Sequence, residues 1–174
     1  MSKVKLKKEL QKLTKEQLIE QILDTYENNK AVKEFYNFFM NSNPENEKEL
    51  AEKYKKIIRK GFNVATPYRG SMKFSVAKRA IADFKDLQTS PYWLADVMIT
   101  LPECACQITN EYGDMTEQFY DGTYNNFVAT LKYIAKHQLL NDFKQRAEQC
   151  VTWAKPCGYG FADVMYDAFY NYYE

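Results

Sequence analysis

The residues with chemical reach in this 174-residue chain are few, and the scarcest is histidine, because His137 stands alone. Every Ser-His-Asp relay, Cys-His couple or two-histidine metal pair must run through it or be absent. It follows Lys136 at the polar end of a helical pattern, where a protonated imidazole complements the helix dipole, so its position calls for no catalysis. The four cysteines (Cys104, Cys106, Cys150, Cys157) match a zinc site in number but not in spacing. Strong zinc signatures set Cys-x2-Cys pairs in loops, whereas Cys104 and Cys106 sit two apart in a helical pattern, where neighbours do not share a face. They read as structural thiols, and neither a metal nor a cofactor is expected. Gly158-Tyr159-Gly160 lacks the preceding strand, the third glycine and the lysine of a phosphate loop, so it reads as a helix end and a turn.

Two polar groupings remain. Lys78, Arg79 and Lys85 avoid the stripe Ala77, Ala80, Ile81, Phe84, and with Lys55, Lys56, Arg59 and Lys60 on the preceding helix they predict a basic patch. Such a patch is either a solvated face or a salt-sensitive contact for phosphate or nucleic acid. The second grouping is Asn110, Glu111 and Asp114 at a turn, with Glu103 two turns earlier. Gly113 and Asp114 are explained as the stop of one helix and the cap of the next. The carboxylates of Glu103, Glu111 and Asp114 could also converge on a cation or do acid–base work. No residue announces itself as catalytic.

The elements that would position these groups are helical throughout. Only 6 Gly and 5 Pro punctuate the chain, too few for an all-β protein. Leu6, Leu10 and Leu13 make one helical stripe; Thr14 and Gln17 form a capping box for the next helix, which carries Leu18, Ile22 and Tyr26. After a break at Asn28-Asn29, Val32, Phe35, Tyr36 and Phe39 mark a third helix. Asn43-Pro44 opens a fourth that runs to Gly61. Further stripes follow over Val76–Leu87, Leu94–Ile108 (with a kink expected at Pro102), Tyr120–Ile134, Phe143–Ala154 and Phe161–Tyr172. The fold class is therefore all-α, with eight or nine helices. Short connections make neighbours antiparallel, which leaves a short solenoid-like stack of hairpins of the HEAT or armadillo sort, slightly favoured, or a compact orthogonal bundle.

Charge divides the chain. Residues 1–90 hold 19 Lys/Arg against 12 Asp/Glu and residues 91–174 hold 5 against 11, although the net charge is only +1. That balance argues against a generic polyanion binder. One domain spanning 1–174 is expected, with 62–73 as a possible hinge between a basic front and an acidic, aromatic back. No apolar window is long enough for a membrane span, and the opening Met-Ser-Lys-Val-Lys-Leu lacks a secretory core, so the reading is cytoplasmic with reduced thiols.

Lys5 to Leu10, Leu13 to Ile19, Tyr54 to Lys60, Ser75 to Lys85 and the turn Thr109 to Asp114 together resemble a bacterial family known only as a domain of unknown function. The resemblance implies a small single-domain cytosolic protein of bacterial type and transfers no activity, cofactor or residue role. From the residues, the expected function is a non-catalytic helical module that binds a protein or peptide. Aromatics make up 16% of the chain, and Tyr159, Tyr170 and Tyr173 lie off the core stripes as candidate contacts. Nucleic-acid or phosphate binding through the basic patch is the alternative, and an enzyme built on Glu103, Glu111 and Asp114 the second.

Overall fold

The computed structural model describes residues 1–41, 43–62 and 74–173, and among them the chain forms nine α-helices and no strand. These are α1 (Lys3–Leu10), α2 (Lys15–Asn28), α3 (Lys30–Met40), α4 (Pro44–Phe62), α5 (Phe74–Asp86), α6 (Pro91–Tyr112), α7 (Glu117–Lys136), α8 (Leu140–Ala154) and α9 (Phe161–Tyr170). They group into two compact units, Met1–Ser42 and Asn43–Glu174. Of the expected hinge 62–73, only Phe62 lies within the described residues, as the last residue of α4.

Local chemistry sets the helix ends. Thr14 and Gln17 form the capping box that starts α2, and Asn29 caps α3 by accepting from the Ala31 and Val32 amides. Gly61 does not stop α4, which runs one residue further. Gly113, at φ +87°, closes α6 in a conformation that costs a side-chain-bearing residue more than glycine. One cap differs from expectation. Thr116, not Asp114, caps α7 by accepting from the Phe119 amide, which frees Asp114 for a longer-range role.

In the first unit, α2 packs on α3, with the Tyr26 hydroxyl donating to Asn37 Oδ1 at 2.8 Å, and none of the three helices holds a buried residue. The second unit is an all-α bundle around α6, which packs against α4, α7 and α8. The α6 sequence is apolar nearly all round, as a helix enclosed on several sides must be. Tyr54 meets Phe84 and Phe62 meets Phe74, so α4 and α5 run antiparallel. Glu47 accepts from the Ser90 amide while Lys55 reaches Asp96, and Tyr92 packs on Phe143 while Glu103 reaches Arg146. Hence α4, α6 and α8 lie side by side in one direction. Phe84, Phe127, Phe143 and Phe161 are fully enclosed, each contributing about 1.5–3 kcal/mol by burial.

Candidate functional site

Three parallel helices bring charges from distant parts of the sequence into one chain of contacts. Asp96 of α6 is 5% exposed and Lys55 of α4 is 7% exposed, and Lys55 Nζ donates to Asp96 Oδ2 at 2.7 Å. The other carboxylate oxygen of Asp96 accepts from the Arg146 guanidinium of α8. Arg146 also grips Glu103 with two nearly parallel hydrogen bonds, Nε to Oε1 and Nη2 to Oε2, each 2.6 Å. At the outer end Lys55 pairs with Glu52, which also meets Arg59 at 3.5 Å. Three carboxylates thus face three cations.

The electrostatics follow from that balance. Burial alone would lower the Arg146 pKa, but the hydrogen bonds and charges of Glu103 and Asp96 overcome it and raise the guanidinium further. The Glu52 carboxyl is held below its ordinary value, chiefly by its hydrogen bond to Lys55. Such a network is costly to desolvate and is tolerated because every charge has a partner. Its chemical capacity is to lock the register of α4, α6 and α8, since none of its groups is left as a free base or nucleophile.

This arrangement corrects the basic patch. Lys55 is not a surface cation but the inner partner of Asp96. Arg59 is exposed yet paired with Glu52, and Arg79 is paired with Asp83 at 2.8 Å, leaving Lys56, Lys60, Lys78 and Lys85 as the exposed lysines of the seven cations. The carboxylate cluster is corrected too. Glu103 is committed to Arg146, Glu111 accepts from Gln107 Nε2 at 2.7 Å, and Asp114 has partners of its own. Asn110 is exposed on the last turn of α6. Among the described residues, no group of three or more His, Cys, Asp or Glu is placed to hold a metal ion.

Asp114 builds the second polar feature. Its Oδ1 accepts from the Tyr120 hydroxyl at 2.7 Å and from the Gly158 amide at 2.8 Å, while the Tyr120 oxygen accepts from the Met115 amide at 3.0 Å. The α6–α7 turn is thereby tied to the α8–α9 turn. The Gly158 and Tyr120 hydrogen bonds hold the Asp114 carboxyl below its ordinary value, and burial above all raises the Tyr120 phenol. A side chain at position 158 would put a Cβ 3.0 Å from Asp114 Oδ2, a tight approach that the carboxylate could relieve only by shifting. Next to it, Tyr159 sits at φ +56° and is 74% exposed. A bulky residue in the left-handed region is uncommon and persists only where its surroundings enforce it.

The other tyrosines divide. Tyr170 is exposed and packs on exposed Tyr166 one turn earlier, with ring centroids 4.3 Å apart. Tyr173 is not an exposed contact: its ring stacks on Phe169 at 4.6 Å, and its hydroxyl is buried with no partner among the described residues. Burial pushes that phenol up to about 12. His137 caps α7, its ring 4.3 Å from that of Tyr133. Cys106 and Cys150 are buried against each other across α6 and α8; burial raises the Cys150 thiol well above its usual value and pushes Cys104 up to about 11.

The sequence reading passed over Asp96, Arg146 and Tyr166. A signal for the first two was present: Asp96 is a lone acid in the apolar run of α6, and Arg146 sits three residues after Phe143 and four before Cys150, on the core stripe of α8. A charge on an apolar stripe requires a buried partner.

The matched residues run from α1 through the last residue of α8 and so include the whole ion network. The chain belongs to the DUF6155 family. The DUF6155 profile, described as a family of unknown function, covers residues 1–154, leaving Tyr159 and α9 beyond the match. No curated protein and no solved structure matches the chain. Among the described residues, no helix is long and apolar enough to cross a membrane.

Proposed function

We propose that this DUF6155 member is a non-catalytic helical interaction module that binds a protein or peptide, working in the cytoplasm with its thiols reduced. In this reading α4/α5, α6/α7 and α8/α9 are antiparallel hairpins stacked in a repeat-like manner, with the ion network fixing their register. The observation that carries the reading is Tyr159, 74% exposed and held at φ +56° in a turn pinned by Asp114. An aromatic ring presented on a pre-ordered turn binds with little loss of conformational entropy, and tyrosine is enriched where binding energy concentrates. Tyr166 and Tyr170 on α9 extend the aromatic supply.

Affinity capture of the tagged full chain, with and without nuclease, tests it. A nuclease-resistant protein partner should be retained by the wild type and lost from Tyr159→Ala or from Tyr166→Ala/Tyr170→Ala, with circular dichroism unchanged. Capture equal to wild type in both variants overturns the assignment.

One observation favours a second reading. An open groove runs along α4, with Trp93 and Ile57 among its apolar walls and four lysines against Glu45, Glu49 and Glu52 in its lining, an excess of one positive charge beside an apolar wall that suits an anionic ligand with a flat apolar part. Binding there would weaken between low and moderate salt, and salt-independent binding would exclude it.

A further inference from the structure

The first unit carries an association surface that neither the ion network nor Tyr159 accounts for. Its helices bury nothing, although Leu6, Ile19 and Leu23 are large and apolar and are 42%, 47% and 56% exposed. Within the unit α2 packs on α3, whereas α1 packs substantially on neither. Two exposed faces therefore stand open, and their charges are opposite. Helix α1 holds Lys3, Lys5, Lys7 and Lys8 against Glu9; helix α2 holds Glu16, Glu20, Asp24 and Glu27 against Lys15. The first is net +3 and the second net −3.

The charges lie where an interface needs them. Lys3, Leu6, Lys7 and Leu10 follow i, i+3, i+4, i+7 spacing, so one face of α1 presents two leucines edged by two ammonium groups. Glu16, Ile19, Glu20, Leu23 and Glu27 share one face of α2 in the same way, presenting two aliphatic side chains edged by three carboxylates. Among the described residues, Lys3, Lys7, Glu16, Glu20 and Glu27 form no ion pair.

We infer that the occupant of these faces is a second copy of this chain: α1 of each protomer lies on α2 of the other, with Leu6 and Leu10 against Ile19 and Leu23 and the lysines opposite the glutamates. Two faces of opposite charge on one chain satisfy each other twice in a two-fold pair, which closes and does not propagate. Like-on-like pairing would set four unneutralised ammonium groups together for α1 on α1, or six carboxylates for α2 on α2, and is disfavoured. The inference is independent of the binding role of Tyr159, which lies in the other unit.

Sedimentation equilibrium of the full chain over a concentration series reads this directly. The wild type should approach twice the 20.5 kDa chain mass. Lys3→Glu/Lys7→Glu and Glu20→Lys/Glu27→Lys should each weaken association about tenfold or more. Mixing the two charge-reversed proteins, or combining all four substitutions in one chain, should restore it. Circular dichroism checks that each variant keeps its helix content, and the four-fold variant keeps the test decisive if one pair folds poorly. A monomer at every concentration, as when the faces are covered within one chain, overturns the inference. So does a dimer insensitive to the reversals, or one that the combined swap fails to restore.

Discussion

Asp96 holds Lys55 with one carboxylate oxygen, at 2.7 Å, and Arg146 with the other, so a single acid neutralises cations from two different helices. Asp96→Ala leaves Lys55 with Glu52 alone and Arg146 with Glu103 alone, so the loss should exceed about 1 kcal/mol but fall short of the ~3–5 kcal/mol that a fully unpaired buried charge costs. Glu52→Ala should cost less than about 1 kcal/mol, because Glu52 is only half-buried and Lys55 keeps Asp96. Urea denaturation of the two variants checks the contrast; equal losses would mean that Asp96 is not the hub.

The fold was legible because it rests on local signals. The capping box at Thr14 and Gln17, the glycine stop at Gly113 and the stripe Phe143, Ala147, Cys150, Val151 are written in residues a few positions apart. The site was less legible because its partners are not local. Lys55 looks like every other lysine on α4 until α6 places Asp96 beside it, 41 residues away. Asp114 carries a cap signal in its own turn, yet its contact is the Gly158 amide 44 residues on, a pairing made only when α8 returns.

Tyr173 should tolerate loss of its hydroxyl. That oxygen is buried without a partner among the described residues while the ring stacks on Phe169. Tyr173→Phe keeps the stack and removes an unsatisfied polar atom, so stability should rise by up to about 1 kcal/mol. Tyr173→Ala should destabilise. A loss of stability in the Phe variant would reveal a hydrogen bond to that hydroxyl.

Thiol labelling at neutral pH should separate the cysteines. Cys106 and Cys150 are buried and should react only after unfolding. Cys104 is half-buried, but its pKa of about 11 keeps the thiolate scarce, so half-buried Cys157 should label first. Mass spectrometry of time-quenched alkylation gives the order, and early modification of Cys150 would contradict the α6–α8 packing.

The Asp114 tie predicts a pH dependence of defined sign. Its folded pKa is depressed by the Gly158 amide and then by the Tyr120 hydroxyl, below the ordinary value of 3.8. A depressed carboxyl contributes stability that is fully present above its unfolded pKa and is lost as pH falls through the folded one. Wild type should therefore exceed Asp114→Asn in Tm at neutral pH, and the gap should close on acidification below about pH 4. Gly158→Ala pushes a Cβ against the same carboxylate and should lower Tm in the wild type, but much less in Asp114→Ala, where the oxygen it meets is gone. Additive effects of the two substitutions would show that the carboxylate and the glycine do not act through one contact.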